Sequence, residues 1–142
     1  MSKIVFDLKL IQYMGLFEKL TSAKVKDCIV EESQIVFIVE PNEMGKAIGR
    51  GGENIKRIER AFKKRVKLAE YSPEVVTFIK NLITPLTVKE IIEEEGVFTL
   101  VPSDSQTRGY LIGRNASALR SYEEILKRHF SIKELKVSHV EG

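Results

Sequence analysis

The feature that most narrows the possible folds is an internal repeat built around glycine. The stretch AIGRGGENIKR (47–57) aligns with LIGRNASALRS (111–121) at an offset of 64, pairing Ile48 with Ile112, Gly49 with Gly113, Arg50 with Arg114, Ile55 with Leu119 and Lys56 with Arg120. Gly45 pairs with Gly109 in the same register, and Pro41 pairs with Pro102 at an offset of 61. Two related units are the economical account of such a chain of 142 residues, with boundaries at 1–72 and 73–142. Glycine costs a helix interior about 0.5–1 kcal/mol relative to alanine. Gly49, Gly51 and Gly52 between two helical patterns therefore mark a turn with a purpose beyond helix formation.

Periodicity supplies the elements of each unit. Leu10, Met14, Phe17 and Leu20 follow helical spacing with Asp7 as N-cap. Lys24 to Val30 and Gln34 to Val39 are rich in β-branched residues and read as a hairpin around Glu31, Glu32 and Ser33. A short helix over 42–47, the glycine turn, a helix over 53–64 with Ile55, Ile58 and Phe62 inward, and a strand over 65–70 complete unit one. In unit two Ser72 is the expected N-cap and Pro73 the first residue of a helix over 74–84. Strands are expected over 87–94 and 97–101, broken at Gly96, and then a helix opened by a capping box of Ser103 and Gln106. After the second turn Leu119, Tyr122, Leu126 and Phe130 line one helix face, and a strand over 132–140 closes the unit. The short join predicts rigid packing of the two units.

Charge is unevenly distributed. The formal net charge is +3, yet the segment from Gly45 to Leu68 carries nine Lys/Arg against Glu53 and Glu59, a local net of +7. A concentrated field of one sign points to an anionic partner more strongly than the total does. An acidic cluster at Glu93, Glu94 and Glu95 is expected to solvate a hairpin. With 43% apolar and 30% charged residues the chain reads as globular. The longest apolar run, Ile35 to Val39, is far too short to span a bilayer, and Asp7 and Lys9 interrupt the apolar core that a signal peptide needs. A cytoplasmic monomer with no membrane contact is the expectation. The lone Cys28 cannot form an internal disulfide, and its neighbours Val25, Ile29 and Val30 place it in a buried strand as a structural residue.

A turn with glycines on both sides lets a backbone lie directly against it, because no Cβ intervenes. The helix that follows directs free N–H groups and its positive dipole end to that point, which favours a phosphate. Arg50 sits within the turn, Lys56 and Arg57 lie close by, and Ile48 and Ile55 form an apolar floor for bases. The pattern I-G-x-G-G-x-x-I between two helices resembles the signature of the KH (K-homology) RNA-binding domain, whose GXXG loop clamps the backbone of about four nucleotides. The helix and two strands before it resemble the type II, prokaryotic arrangement. The resemblance implies an α+β fold of two tandem type II KH domains, each a three-stranded mixed sheet covered by helices on one face. With stretches such as LFEKLTSAKVKDCIVEE, nearly the whole chain resembles the short archaeal form of a transcription termination and antitermination factor family.

By position, the family's loop falls on Gly49, Arg50, Gly51 and Gly52, and again on Gly113, Arg114, Asn115 and Ala116, flanked by Ile112 and Arg120. The second loop departs from the pattern at Ala116, whose methyl is expected either to crowd an approaching backbone or to force φ away from the value glycine takes. The segment from Gly109 to Ile132 has a net charge of only +2, so unit one is expected to contribute more to affinity. Single-stranded RNA is the implied partner, in a groove between each glycine turn and the edge of its sheet, with RNA polymerase a second partner. No stretch resembles the S1 or polymerase-binding N-terminal domains of longer relatives, so a polymerase contact is expected to use these two units.

Enzyme readings find no support. A P-loop requires Gly-Lys-Ser/Thr, and Gly45-Lys46 is followed by Ala47; a dinucleotide fingerprint from Gly49 requires glycine where Asn54 stands. His129 and His139 lack companions for a metal site, and Ser103, Asp104 and Ser105 read as helix-cap chemistry. No catalytic residue, metal or cofactor is expected. Two alternatives stay open, a KH protein acting on ribosomal RNA and a docking module that mainly contacts RNA polymerase or other proteins. Tyr71, Tyr110 and Tyr122 are candidates to stack on bases, with helix packing the competing role for Tyr122.

Overall fold

A computed structural model describes residues 8–140, which divide into two compact units between Pro73 and Glu74. The first unit runs α1 (Leu8–Thr21), β1 (Val25–Val30), β2 (Gln34–Val39), α2 (Met44–Ile48), α3 (Glu53–Phe62) and β3 (Arg65–Glu70). The second repeats the order with α4 (Val75–Ile83), β4 (Glu90–Glu94), β5 (Val97–Val101), α5 (Ser105–Ile112), α6 (Ser117–His129) and β6 (Glu134–Val137). Each sheet has three strands with β2 or β5 in the centre, antiparallel to the strand before it and parallel to the strand after the helices. Both sheets are therefore mixed, as the fold class implied by the family resemblance requires.

In the first unit the helices cover one face of the sheet. Ile35, Phe37 and Val39 of β2 alternate onto that face and are buried with Phe17, Ala47 and Ile58. Phe17 stacks on Phe37 with centroids 4.3 Å apart, and Phe62 meets both Phe37 and Tyr13. A bulge between Val25 and Asp27 shifts the alternation of β1, so that Val25 and Cys28 face the same core although they are an odd number of residues apart. Cys28 is fully buried, in keeping with a structural role.

Side chains fasten the helices to the sheet. Glu18 and Glu43 accept the N–H groups of Val25 and Lys24 at the start of β1, each at 2.8 Å. Glu59 of α3 accepts the Val66 N–H of β3 at 2.9 Å, and Glu123 of α6 accepts the Leu135 N–H of β6 at the same distance. These two glutamates are themselves 64 residues apart, so the repeat extends to the joint between the third helix and the parallel strand of each unit.

Several expected boundaries moved, each for a local reason. The expected cap at Asp7 lies outside the described residues. The helix after the first turn ends at Phe62 because Lys63 takes a left-handed conformation (φ 54°) and donates to the Glu59 carbonyl, turning the chain into β3. The first helix of unit two starts at Val75 with Glu74 at the N-cap, so Ser72 and Pro73 are not its cap and first residue; Thr77 binds the Glu74 side chain at 2.8 Å. Its buried face includes Phe78, which periodicity had not singled out, while Val75 and Val76 are only half-buried.

The cap of α5 is Asp104, whose carboxylate accepts the Thr107 N–H at 2.7 Å, not the expected pair of Ser103 and Gln106. On α6 the buried residues are Ile125 and Leu126; Leu119 and Tyr122 are half-buried, and Phe130 lies just past the helix end, tilted against Phe78. His129 ends the helix with its ring edge-on to Phe78. Two strands of unit two are shorter than expected, while the middle one spans Val97–Val101 as expected. The first begins at Glu90, and the last runs only from Glu134 to Val137. The acidic run lies at the tip of the β4–β5 hairpin, where Glu95 and Gly96 both take positive φ.

Candidate nucleic-acid interface

Each glycine turn joins two short helices through the same backbone path. Gly49 sits at φ 75°, ψ 170° and Gly113 at φ 74°, ψ 175°, a region that essentially only glycine enters. Gly51 (64°, 21°) and Asn115 (54°, 34°) follow in the left-handed helical region, and so do Gly52 (75°, 16°) and Ala116 (62°, 22°). Ala116 thus keeps the φ of its glycine counterpart, and its methyl does not push the backbone into another well. A Cβ built at Gly52 would touch only Ile55, at 3.7 Å, so this corner of the turn has room for a methyl group.

The glycines of one turn differ in what they do. A Cβ on Gly49 would lie 2.7 Å from the Asn54 Cγ and 2.9 Å from its backbone N; on Gly113 it would lie 2.8 Å from both the Ala118 Cβ and N. These first glycines let the next helix come close. Gly51 has nothing within 4 Å and faces open space. Asn54 braces the first turn by donating from Nδ2 to the Lys46 carbonyl at 2.7 Å, which ties α3 to the end of α2. Ala118 stands at the equivalent place in unit two and has no such group. Asn54 figured in the sequence only as a residue that broke a dinucleotide pattern; its bracing role needed the fold of the turn to become visible.

Among the described residues no side chain caps the N terminus of α3 or of α6. Arg50, Gly51 and Lys56 are exposed beside the first turn, and no carboxylate among the described residues pairs with Arg50 or Lys56. Arg57 is different, since it bonds Glu53 at 3.3 Å across one helical turn, and Lys46 lies 3.4 Å from Glu43. Glu43 is held below the usual carboxylate range, first by the Lys24 N–H it accepts and also by Lys46. Ile48 is 40% exposed, and Ile55 is half-buried against the core. Around the second turn Arg114, Asn115 and Arg120 are exposed, whereas Ile112, Gly113 and Ala116 are half-buried. The predicted residues of each turn are thereby brought together within their own unit.

Of the tyrosines, Tyr71 carries the Lys26 ammonium 4.4 Å above its ring, and Tyr122 is half-buried on α6. Tyr110 is exposed. Among the described residues no group of three or more His, Cys, Asp or Glu is placed to hold a metal ion, and no helix is long and apolar enough to cross a membrane.

Known proteins share this arrangement. The sequence profile of the KH domain family matches residues 11–91, which include the first glycine turn. A protein of Methanocaldococcus jannaschii described as "Probable transcription termination protein NusA" is 32% identical over 140 residues, covering 96% of this chain and 76% of the relative. Proteins with the same description are 33% identical over 130 residues in Methanococcus vannielii (89% and 75% covered) and 28% identical over 130 residues in Halococcus morrhuae (90% and 94% covered). The crystal structure of APE1850 superposes with a TM-score of 0.75 at 25% identity, covering 94% of this chain and all of that one. Repeated glycine turns, mixed sheets and these relatives agree that the chain belongs to the KH domain family, in its archaeal NusA-like branch.

Proposed function

We propose that this chain binds single-stranded RNA through its two glycine turns and works in the cytoplasm as a NusA-like transcription termination or antitermination factor. The observation that carries the reading is the first turn. Bare main chain at Gly51, an Arg50 with no carboxylate partner among the described residues, and a helix start that none of their side chains caps lie together on the surface. Phosphates meet Arg50, the first amides of α3 and Lys56, while bases rest on Ile48 and Ile55. Arg57 contributes less, because Glu53 competes for it. The second turn offers Gly113, Arg114, Asn115, Ala116 and Arg120 to single-stranded RNA with less positive charge around them. The shared description of the relatives supports a role in transcription termination, and RNA polymerase is the protein partner proposed with it.

Titration with single-stranded RNA at several salt concentrations tests the reading. Neutralising about four phosphates gives a slope of log K against log[salt] near −3 for single strands, and Arg50→Ala should reduce its magnitude by about 0.7. Absence of binding even at low salt would refute RNA binding and leave a docking role. The ranking of the two turns is read from Gly51→Asp and Asn115→Asp, because both positions already take a left-handed conformation that aspartate tolerates. Substituting Gly113 instead would disturb the turn itself, since a Cβ there collides with Ala118. The Gly51 variant should lose more affinity, and the reverse order would overturn the primacy of unit one.

A further inference from the structure

The two units differ at the outer edge of their sheets. β1 and β4 hold the same place in the repeat, and among the described residues each pairs on one side only, with β2 and with β5. β1 carries a bulge between Val25 and Asp27, and of its residues only Val30 is exposed. Bulges and burial both keep an edge from recruiting another strand. β4 has neither protection. It pairs with β5 in unbroken register from Glu90 to Glu94, and all its residues except Ile91 are exposed. Alternate residues of such a strand turn their N–H and C=O groups outward, away from the sheet.

The side chains on this edge select what can pair with it. Glu90, Glu93 and Glu94 lie on the strand and Glu95 at its end; all four are exposed and none forms an ion pair among the described residues. Four glutamates against Lys89 give segment 89–95 a net charge of −3. Pairing with a second copy of β4 would set glutamate against glutamate, in either strand direction, and like charges directly opposite are destabilising. The same carboxylates repel a nucleic-acid backbone. Between them stand Ile91 and Ile92, and Ile92 is 39% exposed on the sheet face opposite to the buried Phe98 and Leu100. On that face an open groove runs from Ile92 and Glu94 past Thr99 to Lys133 and Lys136. A strand added outside β4 would lie about 14 Å from β6, three spacings of about 4.8 Å, so it meets the glutamates and not those lysines.

We propose that β4 accepts an extended basic segment of another protein as a fourth strand of the second sheet. Lys or Arg of that segment stands across from Glu90, Glu93 and Glu94, and branched apolar residues stand across from Ile91 and Ile92. Main-chain hydrogen bonds supply the affinity, and the cross-strand pairs supply the choice of partner. β4 belongs to neither glycine turn, so the inference does not depend on RNA binding there.

The probe is the peptide Thr-Lys-Lys-Val-Val-Lys-Lys-Thr, which offers the required pattern in both strand directions. Titrated into the full chain at low salt, it should bind saturably and slow hydrogen exchange of the outward amides of β4. Replacing both valines with proline keeps the charge but removes at least one pairing N–H, and should weaken binding at least about fivefold. A peptide with glutamate at every lysine should not bind. The Glu93→Lys, Glu94→Lys double variant turns two opposite-charge pairs into like-charge pairs. It should weaken binding of the lysine peptide at least about fourfold and gain binding of the glutamate peptide. Circular dichroism checks that this variant, altered only at exposed side chains, remains folded. No binding of the lysine peptide overturns the proposal. Equal binding of the proline peptide, with no protection of β4 amides, also overturns it by reducing the contact to charge attraction alone. Protection of β4 by single-stranded RNA and not by the peptide would replace the protein partner with a nucleic acid and overturn it as well.

Discussion

Replacing Gly49 with alanine probes the physical basis of the turn. Two costs combine at that position. The backbone, at φ 75° and ψ 170°, lies in a region where a side chain costs about 1–3 kcal/mol. The new Cβ would also stand 2.9 Å from the Asn54 N, and because that atom is backbone, the first turn of α3 has to shift. Overpacking of this kind costs about 1–3 kcal/mol. Alanine restricts the unfolded chain and returns about 0.4–1 kcal/mol, so the net loss comes to about 1–5.6 kcal/mol. Gly51→Ala carries only the milder conformational cost of the left-handed helical region, because nothing lies within 4 Å of its Cβ; it should cost only about 1 kcal/mol. Ala116→Gly runs the other way, relieving a non-glycine residue at φ 62°, and should be neutral or stabilising by up to about 1 kcal/mol. Urea unfolding followed by far-UV circular dichroism reads all three. Should Gly49→Ala prove no more destabilising than Gly51→Ala, the close approach of α3 to the turn would not be what requires glycine there.

Removing either strand-binding glutamate, Glu59→Ala or Glu123→Ala, leaves a partly buried N–H of Val66 or Leu135 unsatisfied and should cost about 1–3 kcal/mol, whereas glutamine at the same sites should restore most of it; equal losses for Ala and Gln in urea unfolding would argue against the hydrogen bonds. Acid should destabilise the protein through Glu43 and Asp104, which the N–H groups of Lys24 and Thr107 hold below their ordinary values of 4.5 and 3.8. Folded-state values that are lowered give stability that is fully present above the ordinary values and lost as pH falls through the lowered ones. Thermal melts from pH 6 down to pH 2 should therefore fall mainly below pH 4.5, with a shallower fall in a Glu43→Gln, Asp104→Asn double variant.

Much of the site was legible because its requirements are local. A positive φ, a helix that stops and a helix that restarts each involve only a few consecutive residues, so the glycines at 49, 51 and 52 and their echo at 113 announce the turn directly. The hairpin of β1 and β2 and the strand at 65–70 were equally plain from their β-branched runs. Helix ends were less so. Asp104 and Ser103 are both good caps by composition, and only the path of the chain decides which carboxylate or hydroxyl reaches an N–H. Phe78 and Ile125 escaped the apolar pattern because neighbouring apolar residues offered a second plausible face, and burial in the folded unit chose between them.

The amino-acid order alone determined that there are two copies of one unit, with a glycine turn between helices and a cationic segment around the first. Those properties follow from backbone sterics and charge, which act over a turn or two of chain. Tertiary structure decided what each glycine is for. Gly49 and Gly113 are required by a helix that folds back onto them, whereas a Cβ at Gly45, Gly51 or Gly109 would meet nothing within 4 Å among the described residues. It also decided that Glu59 and Glu123 would bridge to the parallel strands. Such roles depend on which atoms approach from elsewhere in the chain, and no local pattern encodes that distance.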